Sequence, residues 1–388
     1  LRDDLGIESR ATASWMERLR QGKPFLDRNS VLIIDEAGLL SSREMHALLT
    51  EVDRAGAKLI LVGDRRQLQA IGAGPGLDLV VRAIDANRVD TIVRQREEWA
   101  REAVMAFGRG DAVSALAAFA DHGHLVETET NRAALDQIAT LRREHMQATD
   151  QDRFLIIART NAQVAAISRT VRNDLRATGQ LTGPDVSFRA ITPSGHEMTI
   201  DLAAGDRIRF LARNDRLGVV NGTTGIVTKI VTAENEADNP AAIRIEAMVD
   251  GRRVSFSPDD LADERGRARL GWAYATTVYG SQGMTVDRAV VFLDPAFDRH
   301  AIHVAASRAR NATTLIVDRS AIEMRLAADR PLDRQDDPLD TSEDERQKWL
   351  AERLSRAVVK SSTFDISVVS SLNAGSRLHE RDGRRSPT

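Results

Sequence analysis

The 388-residue sequence contains no cysteine, which excludes disulfides and thiolate metal sites. Aromatic residues make up only 4% of it, with two tyrosines and four tryptophans. Single-strand binders usually offer stacking rings, so here that work would fall to very few positions. No apolar run approaches the roughly 20 residues that span a bilayer, and no secretory leader pattern stands out. A cytoplasmic location with no membrane segment is the expectation. Lysine is scarce as well, five of the 54 basic residues, an imbalance that a GC-rich coding sequence accounts for. The net charge of −3 provides no global basic field, so any nucleic-acid surface must be local.

What is present describes an ordinary globular protein, with 42% hydrophobic and 29% charged residues. The length allows two domains and a small insertion. The sequence opens on Leu1 and reaches an apolar strand within about thirty residues. A nucleotide-binding domain usually has a longer lead-in, so a missing N-terminus is expected.

Two short apolar runs organise the rest. Val31-Leu32-Ile33-Ile34 ends in Asp35-Glu36, and Leu59-Ile60-Leu61-Val62 ends in Gly63-Asp64. Runs rich in Val and Ile and apolar on both faces read as central strands of a parallel sheet. Ligands of such sheets bind beyond the carboxyl ends of the strands. Adjacent carboxylates there suit one kind of chemistry, in which one holds Mg²⁺ and the other orients or deprotonates an attacking water. The alternative is that Asp35-Glu36 caps the following helix, since acidic residues favour helix starts.

The chain then alternates helix and strand. Thr12, Ser14 and Trp15 stand near a helix start, and Ser41-Ser42 can cap a helix over 42–55 that Gly56 ends. Gly72-Ala73-Gly74-Pro75-Gly76 leads into a helix near 77–84, and a short strand near 89–93 ends in Arg94-Gln95-Arg96. Helices follow around Trp99 and after Asp111. Residues 154–158 form a buried strand running through Arg159-Thr160-Asn161 into a helix to about Ala177. From about 200, Asn-Gly and Asp-Gly turns separate short strands, reading as a small antiparallel barrel. The parallel pattern resumes at 272–277, 289–293 and 313–317, so the fold class is α/β. Beyond about 330 one helix around Trp349 is expected, then a tail without order from about 370.

Phosphoryl transfer needs a metal carboxylate, a water-positioning group and cations for charge developing on the γ-phosphate. Asp35 and Glu36 fit the first two needs, and Gln67, just past the second strand, could sense the γ-phosphate or the attacking water. Arg94 and Arg308 are the fixed cations at junctions of the second sheet, where a guanidinium can bond phosphate in a fork.

Five segments, DEAG, GDRRQL, IVRQ, TTVYGSQG and HVAASRAR, occur in the order and approximate spacing of superfamily one DNA helicases. The sequence resembles the RecD-like branch, above all the helicase half of TraA-type conjugative relaxases, over roughly residues 10–320. The resemblance implies two RecA-like P-loop NTPase domains with an inserted SH3-like β-barrel. Residues 1–86 would be a partial first domain, 87–199 and 269–325 the second, 200–268 the barrel and 326–388 a C-terminal helix and tail. It implies ATP and Mg²⁺ as cofactors and single-stranded DNA as partner, moved 5′ to 3′. Asp35 would coordinate Mg²⁺, Glu36 would be the base, and Gln67 would couple nucleotide to DNA. Arg94 would bind the γ-phosphate and Arg308 would be the arginine finger, with Gln282 and Gly283 bordering both ligands. Thr12, Ser14, Thr160, Asn161, Thr276, Thr277 and Ser281 would line the strand.

One element departs from that pattern. The Gly-x-x-x-x-Gly-Lys-Ser/Thr loop that cradles phosphates is absent. The single Gly-Lys pair, Gly22-Lys23, precedes Pro24 and has Glu17 where the first glycine belongs. The expectation is therefore a portion of a larger translocase that lacks ATPase competence alone. Its missing partners would be a relaxase and phosphate-loop region and other conjugative transfer proteins. The rival is a non-catalytic remnant that binds single-stranded nucleic acid; a RecA-like ATPase acting on protein is a third class. Arg169, Arg172 and Arg176 share one helix stripe and read as a solvated face or as phosphate contacts. Arg265, Arg267 and Arg269 would point one way if extended. His300 and His303 read as core histidines, Trp272 and Tyr274 as core aromatics, and Asp64 as either a buttress or a turn cap.

Overall fold

A computed structural model describes residues 7–87, 94–149, 153–192, 195–232, 243–330, 341–358 and 360. The chain divides into two compact units, Leu1–Thr91 with Ala357–Thr388, and Ile92–Arg356. The expected strand near 89–93 and the tail from about 370 lie outside the described residues.

The first unit runs α1 (Thr12–Arg20), β1 (Val31–Ile34), a 3₁₀ turn (Ala37–Leu39), α2 (Ser42–Ala55), β2 (Lys58–Leu61) and α3 (Gly76–Ile84). A capping box starts α2: the Ser41 hydroxyl accepts from the Glu44 amide, and the Glu44 carboxylate accepts from the Ser41 amide at 2.9 Å. Gly56, at φ 62°, closes the helix in the left-handed conformation. β1 and β2 pair in parallel from Val31↔Lys58 to Ile34↔Leu61. Ile34, Ala37, Leu40, Met45, Leu48 and Leu77 form the core, with Leu32, Leu59 and Leu61 against it. The strands are therefore buried on one face, where burial on both was expected. Val31, Ile33, Ile60 and Val62 stay exposed, because the helices of this unit pack on the other side.

The second unit begins with α4 (Glu98–Arg109), α5 (Ala112–Asp121), β3 (Leu125–Thr128), α6 (Asn131–Ala148), β4 (Phe154–Ala158) and α7 (Asn161–Ala177). An all-β stretch follows: β5 (Thr182–Ile191), β6 (Glu197–Ala204), β7 (Arg207–Phe210), β8 (Thr224–Thr232), β9 (Ile243–Val249), β10 (Arg252–Phe256) and β11 (Leu270–Trp272). The unit closes with β12 (Thr276–Thr277), β13 (Val286–Leu293), α8 (Arg299–Ala306), β14 (Ala309–Asp318), α9 (Arg319–Ala328) and α10 (Glu343–Ser355).

Two sheets result. One is wholly parallel, in the order β12-β4-β13-β14-β3, so the chain is α/β as expected. The other is antiparallel, β10-β9-β8-β7-β11, and the β5–β6 hairpin shares its hydrophobic core through Phe188, Ala190, Ile200 and Leu202. Antiparallel pairing thus starts at Thr182, before the change of texture seen near 200. Gly183-Pro184 and the exposed start of β5 hide the period-2 signal until Val186. Trp272 pairs with Ile208 in the antiparallel sheet, so the parallel pattern resumes only at Thr276.

A buried charge cluster ties α7 to the all-β stretch. Arg172 donates from Nε and Nη2 to Asp206 at 3.0–3.1 Å and from Nη2 to Asp185 at 2.5 Å. Asp206, fully buried, also accepts from the Tyr274 hydroxyl at 2.6 Å and the Ala203 amide at 2.7 Å. Burial would depress the Arg172 pKa, but the bonds to Asp185 and Asp206 outweigh it and raise it. Arg176 pairs with Asp185. Neither the solvated-face nor the phosphate reading of that arginine stripe describes Arg172. Residues 263–267 form a turn, with Asp263 accepting from the Arg265 and Arg267 amides, so those arginines do not lie on an extended run. His300 and His303 are buried, and His303 Nδ1 lies 2.9 Å from the Val104 carbonyl oxygen. Among the described residues, no helix is long and apolar enough to cross a membrane, and no group of three acidic or histidine residues could hold a metal.

Candidate functional site

β1 delivers its carboxylates where parallel strands deliver ligand groups, just past the strand. Asp35 Oδ1 accepts from the Glu36 amide at 2.9 Å. Glu36 sits at φ 52°, ψ 40°, a left-handed conformation that costs a non-glycine residue about 1–2 kcal/mol. The fold holds it there from both sides: the Ala37 amide donates to Val62 and the Val62 amide donates to Ile34, each at 2.8 Å. Glu36 stands at the N-cap of the 3₁₀ turn, where its carbonyl accepts from the Leu39 amide at 2.9 Å but its side chain makes no cap hydrogen bond, and Ser41 occupies the N-cap of α2. Neither side chain of this pair therefore caps α2.

β2 brings Gln67 close to the same turn. Its amide donates to the Asp64 carbonyl at 3.1 Å, and Asp64 Oδ1 accepts from the Arg66 amide at 2.9 Å. Gln67 Oε1 is buried without a hydrogen-bond partner, an acceptor that a bound water, an ion or a ligand would satisfy. With Gly38, Asp64 and Leu68 it lines a small cavity of about 20 Å³. The glycine-rich turn closes over the start of α2: a Cβ on Gly76 would stand 2.7 Å from the Leu40 carbonyl oxygen. Lys360 docks on that turn, its amide donating to Gln69 Oε1 at 2.9 Å and its Nζ to the Ile71 carbonyl at 3.1 Å. Asp35 is an exposed hard-oxygen ligand of the kind Mg²⁺ takes, and Gln67 offers an unmet acceptor. These residues fit a magnesium nucleotide.

The second unit gathers its two cations on one residue. Arg94 Nη1 donates to the Ser307 carbonyl at 3.0 Å, and Arg308 Nη2 donates to the Ser307 hydroxyl at 2.7 Å. Gln95, 4% exposed, donates from Nε2 to the Ser307 and Ala309 carbonyls at 3.0 and 3.1 Å. Arg308 is only 1% exposed and also donates to Val304 at 2.8 Å and to Met284 at 3.5 Å. Gln95 and Ser307 were missed in the sequence. The only available signal was their adjacency to the two arginines.

The strand-end residues lie on neighbouring elements. β12 pairs with β4 through Thr276↔Ile157 and Thr277↔Ala158, so Thr160-Asn161 and the turn after Thr277 leave adjacent carboxyl ends. Thr160 caps α7, accepting from the Gln163 amide at 3.2 Å, and Asn161 is the first helical residue. Thr276 is buried and accepts from Arg209 at 3.0 Å; Thr277 accepts from the Gly280 amide at 3.1 Å. Ser281 is buried, its hydroxyl donated to Val278 at 2.7 Å. Gln282 and Gly283 then lead to Met284, whose carbonyl Arg308 reaches. One turn thus runs from the carboxyl end of β12 to the arginine pair. Thr12 and Ser14 belong to the first unit, in the opening turn of α1.

A family profile described as an AAA domain matches residues 1–130. The chain is 35% identical over 308 residues to the conjugal transfer protein TraA of Agrobacterium fabrum, covering 79% of this chain and 26% of that protein. It is 26% identical over 324 residues to the RecBCD enzyme subunit RecD of Mycolicibacterium smegmatis, covering 78% and 52%. A crystal structure of Bacteroides Pif1 bound to ssDNA aligns with 16% identity and a TM-score of 0.49, covering 80% of this chain and 74% of that one. The chain spans about a quarter of the length of the TraA proteins it matches.

Proposed function

Because the chain is homologous to TraA conjugal transfer proteins and to RecD across a RecD-like helicase region, we propose that it is the motor portion of an ATP-dependent DNA helicase or translocase acting in conjugative DNA transfer. In this reading residues 1–86 are part of a first RecA-like domain. Residues 87–199 and 269–325 form the second, 200–268 an SH3-like insertion and 326–388 an appendage. Its partners are single-stranded DNA, moved 5′ to 3′, and other transfer proteins.

The observation that carries the reading is the Ser307 node. Arg94, which lies 213 positions from Ser307, and Arg308, which follows it directly, are both expected to meet phosphate and both bond that one residue. Magnesium ATP, when bound, supplies the phosphoanhydride bond and a hard cation. Asp35 would hold that cation, and Glu36, fixed in its left-handed turn, would accept a proton from water. Gln67 orients that water through its unmet Oε1. In the second unit, Arg94 and Arg308 are the cations that would meet phosphate.

The pattern Gly-x-x-x-x-Gly-Lys-Ser/Thr does not occur in the 388 residues, so turnover requires a phosphate-cradling loop supplied from elsewhere. That absence also favours the second reading, a single-strand binder without a motor. DNA-stimulated ATP hydrolysis by the purified 388-residue chain tests the need for that loop, and single-strand binding with no response to ATP would favour the second reading. We expect single-strand binding with steep salt dependence and little turnover. Robust turnover abolished by Glu36→Gln would overturn the need for an external loop, and failure to bind any nucleic acid at low salt would overturn the reading itself.

A further inference from the structure

Arg209 occupies an unusual place. It lies on β7, paired on one side with Thr224 of β8 and on the other with Gly271 of β11, so its backbone is fixed from both sides. Its side chain leaves the antiparallel sheet and donates from Nη1 to the Thr276 hydroxyl at 3.0 Å. Its Nε is buried with no hydrogen-bond partner, and among the described residues no carboxylate pairs with it. Burial pushes its pKa below the ordinary arginine value. A guanidinium has five donors, and this half-buried one leaves its Nε unmet, a desolvation cost that the bond to Thr276 has to offset. An apolar side chain would fill the same space more favourably, unless the bond to Thr276 matters.

What Thr276 supports is the turn that follows. A Cβ on Gly280 would collide with Thr276 Oγ1 and stand 3.8 Å from Arg209 Nη1. The turn backbone therefore rests directly on the hydroxyl–guanidinium pair. The Gly280 amide is tied to Thr277 Oγ1, and the Ser281, Gln282 and Met284 amides close the turn through Val278, Tyr279 and Ser281 carbonyls at 3.1–3.2 Å.

We propose that Arg209 is a positioning residue: reaching out of the antiparallel sheet, it holds Thr276 and so sets the shape of the 277–283 turn that contacts single-stranded DNA. The strand-contacting role of that turn rests on the function proposed above; the holding of the turn does not. Arg209 itself touches no phosphate. Anything that displaces β7 would alter the turn, which makes the antiparallel sheet a part of the binding apparatus.

The test uses the whole 388-residue chain as wild type, Arg209→Met, Arg209→Lys, Thr276→Val and the Met/Val double variant. Amide hydrogen exchange over 278–284 is read without DNA, and affinity for a labelled oligothymidylate is read by anisotropy at several salt concentrations. We expect Arg209→Met and Thr276→Val each to speed exchange of the turn amides and weaken DNA binding by about tenfold, the scale of one lost hydrogen bond. The double variant should be no worse than either single one, Arg209→Lys should recover most of the loss, and the salt slope should not change. Unchanged exchange, or additive effects in the double variant, would overturn the proposal. A salt slope lowered by about one would also overturn it, because Arg209 would then be a direct phosphate contact. Altered exchange in the variants of a chain whose wild type binds no DNA would support the holding of the turn and overturn its DNA-binding role.

Discussion

Arg94 donates from Nη1 to the carbonyl oxygen of Ser307 at 3.0 Å, across 213 positions of sequence. Because the Ser307 hydroxyl receives Arg308 in turn, the two cations answer to a single peptide unit at the end of α8. Small movements of that helix end would shift both charges together.

Replacing Ser307 with alanine removes the acceptor of Arg308 Nη2 while sparing the carbonyl used by Arg94. A buried charged donor left unsatisfied costs about 1–3 kcal/mol. A lowered urea midpoint for the second unit, followed by Trp99 fluorescence, is the expected result; an unchanged midpoint would mean that Arg308 finds another partner.

The Arg172–Asp206–Tyr274 cluster predicts a larger effect. Asp206→Ala strands a buried guanidinium and a buried hydroxyl at once, for a loss of about 3–5 kcal/mol. Replacing Arg172 with methionine and Asp206 with leucine together should restore much of that stability. Thermal unfolding of the two variants measures the difference.

Glu36 leads to a prediction of opposite sign. Glu36→Gly relieves the left-handed strain and should stabilise the first unit by up to about 1 kcal/mol, while Glu36→Gln keeps the strain. Calorimetry on both variants checks this, and a Glu36→Gly protein less stable than wild type would contradict it.

How much of this was readable in advance depends on whether the cause was local. The Ser41/Glu44 box and the 161–177 helix are written in neighbouring residues, and both ends of that helix matched. The order of Asp35, Gln67, Arg94 and Arg308 was equally plain. Arg172 was not, because its partner Asp206 stands 34 positions away, and a helix stripe cannot reveal which face meets a distant strand. The β5–β6 hairpin hid behind Gly183-Pro184. The unmet oxygen of Gln67 and the sharing of Ser307 are products of tertiary packing alone.

A pH effect follows from His124. Burial, with the nearby charges of Arg288 and His122, lowers its pKa. The folded state therefore binds its proton less readily than the unfolded chain, whose histidine titrates near about 6.5. Its contribution to stability is complete above about pH 6.5 and is lost as pH falls from there through the folded pKa. Between pH 7.5 and 5 the melting temperature of wild type should fall more steeply than that of His124→Gln.

β1 and β2 are each other's only ladder partners among the described residues, and Val31, Ile33, Ile60 and Val62 face solvent beside two open edges. Such a surface is a template for stray strand addition, so the consequence is colloidal. Concentrated solutions should cloud with time, adsorb hydrophobic dye and clear on dilution. A charge placed at Ile33 or Ile60, on the side away from the core, would keep the protein in solution and leave Asp35, Glu36 and Gln67 as they are.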